Sequence, residues 1–96
     1  LAFLVGKIYF DRFWFTDGMK MFRETIRLDP KYRTDEELIK TVLRGFITTP
    51  RHDHALASFL HDDIGPEAKK YLEETATGHP NANIRTRASN ELKRYR

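Results

Sequence analysis

The chain has 96 residues, of which 40% are hydrophobic and 32% charged, with a formal net charge of +3 and no cysteine. That length holds one domain with a modest core, and the missing cysteines exclude a disulfide framework and thiolate chemistry. No apolar run approaches membrane-spanning length, and the small positive excess does not by itself point to nucleic acid.

The apolar start Leu1-Ala2-Phe3-Leu4-Val5 runs directly into Gly6-Lys7. It has no basic region before it and no small-residue cleavage site, so it does not read as a signal peptide. The chain begins inside a helical pattern and not at a methionine. We therefore expect a fragment or processed chain with something before it; the expected location is the cytoplasm, with which the lack of cysteine is compatible.

The first predicted helix spans Ala2 to Arg12, and Phe13-Trp14-Phe15 makes a corner. Thr16 or Asp17 then caps a second helix from Gly18 to Leu28. Pro30 ends that helix, because it lacks an N–H and disfavours helix at Asp29. After the link Lys31-Tyr32-Arg33, Thr34 caps a third helix, with Glu37 three residues on completing a capping box. Leu38, Ile39, Val42, Leu43, Phe46 and Ile47 form its apolar stripe at helical period. Thr48-Thr49-Pro50 stops it.

A shorter fourth helix runs from about Asp53 to His61, with Ala55, Leu56, Phe59 and Leu60 inward. Asp62-Asp63-Ile64-Gly65 breaks it, and Pro66 suits the first position of a fifth helix. Ala68, Tyr71, Leu72 and Ala76 form that helix's apolar face, and Gly78-His79-Pro80 stops it. Asn81 or Asn83 caps a sixth helix with Ile84, Ala88, Leu92 and Tyr95 inward. No period-two run or hairpin dipeptide signals a strand.

Residues 1–32 resemble one tetratricopeptide repeat, whose signature is W-x-x-L-G-x-x-Y, then A-x-x-x-F, then P. The matching run is Ala2, Val5, Gly6, Tyr9, then Gly18 and Phe22, then Asp29-Pro30. Ala2, Val5 and Gly18 depart from the pattern but keep its size logic. The resemblance implies that Gly6 and Gly18 mark a close helix crossing, with Tyr9 and Phe22 filling the gap. The stretch from Asp63 to Arg94 is similar to a HEAT repeat, on Ile64-Gly65-Pro66-Glu67-Ala68 and Leu72, then His79-Pro80, Ile84-Arg85, Ala88 and Leu92. Together these imply an all-α, right-handed stack of about three antiparallel hairpins. A tetratricopeptide-like hairpin over 1–33 would pack as one domain with HEAT-like hairpins over 34–96. Such a tail is similar to the helical-repeat tails of large bacterial signalling proteins, including serine/threonine kinases. No kinase motif occurs in the chain itself.

Three clusters invite a functional reading. His52-Asp53-His54 with His61-Asp62-Asp63 has metal-capable residues, His54 and His61 lying two helical turns apart. Neither an H-E-x-x-H motif nor cysteine supports them, so polar helix ends are the preferred reading. Arg85, Arg87, Lys93, Arg94 and Arg96 against Glu91 make the last helix basic. A solvated face with cations near a helix C-terminus accounts for that; an acidic peptide or nucleic acid is the alternative. Of Phe13-Trp14-Phe15, two should plug the corner. The remaining ring would be a partner anchor, since exposed aromatics dominate such contacts.

The expected function is that of a non-catalytic scaffold or spacer that needs no cofactor or metal. It would bind a protein, a peptide or a preceding domain of the same polypeptide, and neither nucleic acid nor membrane. First helices of the hairpins would line the groove, with Lys7 and Arg12 holding an acidic group. Phe3 and Phe10, seven apart on the first helix, would form an exposed docking face that Phe13 or Phe15 extends around the corner, with Trp14 a further candidate partner contact. The competing classes are a metal-dependent enzyme fragment built on the His/Asp cluster, and nucleic-acid binding through the last helix.

Overall fold

The helical periodicities become helices wherever the computed structural model describes the chain, which is residues 1–49 and 54–95. They are α1 (Ala2–Asp11), α2 (Phe15–Leu28), α3 (Glu36–Thr48), α4 (His54–Ser58), α5 (Pro66–Gly78) and α6 (Ala82–Leu92). Short 3-10 turns occupy Pro30–Thr34 and Lys93–Tyr95. No strand occurs among the described residues.

Several helix ends follow different chemistry from that expected. Helix α2 begins at Phe15 with Trp14 as its N-cap and no side-chain cap; Asp17 only lends its charge to the first turn. Asp29 accepts a hydrogen bond from the Lys31 amide and opens the 3-10 turn. That turn retains Thr34, whose hydroxyl donates to the Lys31 carbonyl. The N-cap of α3 is therefore Asp35, accepting from the Leu38 amide at 3.0 Å. Glu37 does not complete a capping box, because its carboxylate pairs with Lys7.

The stop of α3 comes at Thr48, and Pro50 and Asp53 lie outside the described residues. The predicted break after His61 is instead a π-helical turn, Phe59–Ile64, continuous with α4. Phe59, Leu60 and Ile64 are all buried there. Gly65 ends the turn at φ +84°, a left-handed backbone that glycine adopts without cost. Pro66 then opens α5 as expected. Asn81, not Asn83, caps α6, accepting from the amides of Asn83 and Ile84.

Helix α2 returns along α1, so their contacts run in opposite order. Phe3 meets Phe22 at 5.9 Å between ring centroids, and Phe10 meets Phe15 at 5.3 Å. The crossing is close because of glycine. A Cβ on Gly6 would stand 2.5 Å from the Phe22 ring, and one on Gly18 would stand 2.4 Å from the Phe10 ring. A Cβ on Gly18 would also stand 3.2 Å from the Gly6 carbonyl oxygen, so the two backbones pass close to each other. Phe22 fills the gap, as the repeat resemblance implies. Tyr9 does not; its ring packs on Trp14 at 5.8 Å.

Helix α3 lies at the centre and touches α1, α2, α4, α5 and α6, while α5 and α6 pack along each other. Its stripe behaves as the sequence predicts: Leu38, Ile39, Val42, Leu43 and Phe46 are buried and Ile47 is half-buried. Phe22, Phe46 and Phe59 are the largest fully buried side chains, so one core joins α2, α3 and the π-helical turn. Each such burial contributes about 1.5–3 kcal/mol.

Candidate interaction surface

The expected docking face on α1 is corrected by its burial. Phe10 is 5% exposed, stacked on Phe22 at 5.0 Å, with Gly18 and Gly45 against opposite edges of its ring. Phe3 is half-buried between Phe22 and Tyr32. The seven-residue spacing does place both rings on one side, but that side faces the core. The outward apolar residues are Leu1, Leu4 and Ile8, the last two 56% and 53% exposed.

Lys7 and Arg12 make separate contacts. Lys7 pairs with Glu37, and its ammonium lies 5.2 Å from the Phe3 ring. Arg12 places its guanidinium 5.6 Å from the Trp14 ring. Lys7 thus has a partner within the fold, in a pair whose Glu37 side chain is exposed.

At the corner, Phe15 alone plugs inward, while Phe13 and Trp14 are exposed. Phe13 has φ +62°, a left-handed conformation that costs a side-chain-bearing residue about 1–2 kcal/mol. That backbone holds the Phe13 ring outward, edge-on to Phe15 at 6.0 Å.

The His/Asp cluster is dispersed. His52 and Asp53 lie outside the described residues, and His54 is exposed at the start of α4. His61 sets Nδ1 2.7 Å from the Asp62 carboxylate and Nε2 3.0 Å from the Arg94 carbonyl. Asp63 accepts from Arg23 at 3.3 Å. Among the described residues no three His, Cys, Asp or Glu side chains gather as a metal site.

The basic C-terminal helix is not simply a solvated face. Arg87 donates to the Ile47 and Thr49 carbonyls, closing the end of α3, and lies 4.3 Å from the Phe46 ring. Arg85 donates to the His79 carbonyl at 2.6 Å. Arg94 pairs with Glu91, which is buried. Beside them the Tyr95 hydroxyl is buried without a hydrogen-bond partner. Burial, and then the Glu91 charge, push its phenol above the usual tyrosine range.

Sequence reasoning missed the outer face of α3. Among the described residues one groove of about 450 Å3 runs along the start of α3, lined by Asp35, Glu36, Glu37, Lys40, Thr41 and Arg44, and two more apolar ones flank Arg44 and Thr48. One, of about 210 Å3, is lined by Phe10, Phe13 and Phe15 from the corner and by Thr41, Arg44 and Thr48 from α3. The other, of about 370 Å3, lies between α3 and the α5–α6 hairpin, with Leu43, Ile47, Tyr71 and Ile84 supplying apolar surface. Arg44 and Thr48 line both grooves and form the ridge between them.

Charges along α3 are paired with one exception. Lys40 and Glu36 meet at 2.7 Å; this hydrogen bond raises the Lys40 pKa and lowers that of Glu36. Glu37 has Lys7, and Asp35 caps the helix. Arg44 has only a 3.5 Å contact with the Thr41 hydroxyl, and no carboxylate partner among the described residues. The periodicity of α3 marked Arg44 as outward, but nothing in the sequence showed grooves on both sides of it.

No helix among the described residues is long and apolar enough to cross a membrane. No protein-family model, curated protein or solved structure matches the chain.

Proposed function

We propose that this chain is a non-catalytic interaction module, a right-handed stack of antiparallel helical hairpins that receives a protein segment on the face of its first helices. The observation that carries this reading is the pair of grooves flanking α3. They are open, largely apolar and share Arg44 and Thr48 as their common wall. Grooves of this kind suit the docking of short segments, with apolar anchors supplying affinity and a few polar groups fixing register. The contacts of α3 with both α1 and α5 suit the stack, since first helices would then stand side by side.

The test is to select binders from a phage-displayed library of random peptides and titrate the winners into 15N-labelled chain. Amide shifts clustering on α3, the 13–15 corner and the start of α6 are the expected outcome. Shifts confined to other surfaces, or failure to enrich any peptide, would overturn the reading.

A further inference from the structure

We infer that the segment received on α3 is amphipathic, with an internal Asp or Glu seated on Arg44 and an apolar side chain on either side of it, one per groove. This inference rests on the interaction-module reading above and names the partner chemistry of that site.

The two grooves share Arg44 and Thr48 as their common wall. A segment that fills both must therefore cross the Arg44 guanidinium. Its flanking residues meet Phe13 and Phe15 on one side, and Leu43, Ile47 and Tyr71 on the other. Those surfaces reward aliphatic or aromatic anchors.

The centre of the path rewards a carboxylate. Glu36, Glu37 and Lys40 are engaged within the fold, so a partner gains little by competing for them. Arg44 is exposed and has no carboxylate partner among the described residues, so a bound acid displaces no existing pair. Its planar fork matches a carboxylate through two parallel hydrogen bonds. Glu74 lines the larger groove and Asp11 the smaller one. Both oppose a strongly acidic segment, so the fit is to one acid between apolar anchors and not to an acidic tract.

Phe13 adds an independent indication. Its ring is 69% exposed on a left-handed backbone, at the lip of the smaller groove. Strain of this kind persists where the surroundings impose it, and it clusters at contact sites.

The experiment uses the peptides enriched from the random library, labelled with fluorescein and followed by fluorescence polarisation against the intact chain. The expected consensus is one Asp or Glu flanked on both sides by Leu, Ile, Met or an aromatic. Arg44→Gln, or replacement of the peptide's acid by its amide, should each weaken binding about tenfold or more. The two changes combined should cost no more than either alone. Arg44→Glu should recover affinity for a peptide carrying Lys at the acidic position. Circular dichroism of each variant should match wild type, since Arg44 holds no ion pair within the described fold.

Peptides that map to the α3 grooves, yet lack an acidic consensus and ignore Arg44→Gln, would overturn the inference while leaving the module reading intact. Peptides that map elsewhere, or no enrichment at all, would overturn both.

Discussion

Gly18→Ala is the sharpest test of how α1, α2 and α3 are assembled. The added methyl would stand 2.4 and 2.6 Å from two carbons of the Phe10 ring. Carbon contacts are favourable at about 3.5–4.0 Å, so the ring must retreat by about 1 Å. It has no room to do so. Its opposite edge faces Gly45, where an added Cβ would stand 2.9 Å away, and its face stacks on Phe22. Overpacking of this kind costs about 1–3 kcal/mol. Against it stands the helix-propensity gain of alanine over glycine, about 1 kcal/mol. Gly78→Ala supplies the control: it also lies in a helix, and its Cβ meets nothing within 4 Å. Gly78 is the last residue of α5, so it bounds the propensity gain from below, and the packing cost of about 1–3 kcal/mol dominates the difference between the variants. With a urea slope of about 1 kcal/mol per molar for a small chain, their midpoints should differ by about 1–3 M. Trimming the ring with Phe10→Leu should relieve Gly18→Ala in a double-mutant cycle. Coincident midpoints for Gly18→Ala and Gly78→Ala would refute the close crossing.

Other expectations separate the structure from the sequence reading in the same assay. Phe10→Glu should unfold the chain, or cost more than about 3 kcal/mol, by burying an unpaired charge. Leu4→Glu and Ile8→Glu should stay within about 0.5 kcal/mol of wild type, because both side chains face solvent; if all three behaved alike, the inward face of α1 would be misassigned. Asp35→Ala should cost about 1 kcal/mol as loss of an N-cap, whereas Thr34→Ala should be nearly silent, and the reverse order would restore the capping box. Tyr95→Phe should stabilise by about 1 kcal/mol at neutral pH, since it removes a buried hydroxyl with no hydrogen-bond partner. It should also blunt alkaline unfolding. Because burial raises the folded pKa, titration of this phenol leaves stability unchanged below the ordinary tyrosine value of about 10 and lowers it as pH climbs above that value. An unchanged alkaline limb in Tyr95→Phe would remove Tyr95 as its source.

The legible parts of this fold were those in which one residue type has one physical use. The α3 stripe, Pro66 at a helix start and Gly18 at a helix crossing each follow from a period or a steric demand that few alternatives satisfy. Helix α1 was misread because it is apolar on two sides. Leu1, Leu4 and Ile8 repeat at helical spacing as well as Phe3 and Phe10 do, so periodicity alone cannot choose the inner face. What chooses is Gly18 and Gly45, whose missing side chains leave the space that the Phe10 ring occupies. The cap of α3 was misread because Asp35 and Thr34 are both good caps in sequence. Thr34 was taken up by the preceding 3-10 turn, a competition between local hydrogen bonds that a motif does not weigh.

Lys7, Arg12 and Arg44 are told apart only by the tertiary contacts that each makes. All three look alike as cations on helices, and a sequence does not say which of them the fold will neutralise. Lys7 pairs with Glu37, thirty residues away in sequence; Arg12, with no carboxylate partner among the described residues, lies over Trp14 and lines neither groove. Arg44 is left between two apolar grooves that exist only because the corner aromatics and the α5–α6 hairpin arrive on either side of α3. On the proposed reading, the determinant of such a surface would be a charge that packing leaves unpaired between apolar grooves. Removing the competitor should therefore change the map. Glu37→Gln frees Lys7, and on this argument it should broaden the acidic preference of selected peptides towards α1 without weakening those centred on Arg44. If Glu37→Gln instead abolished binding at Arg44, the two cations would belong to one site, and the single-acid geometry would be wrong.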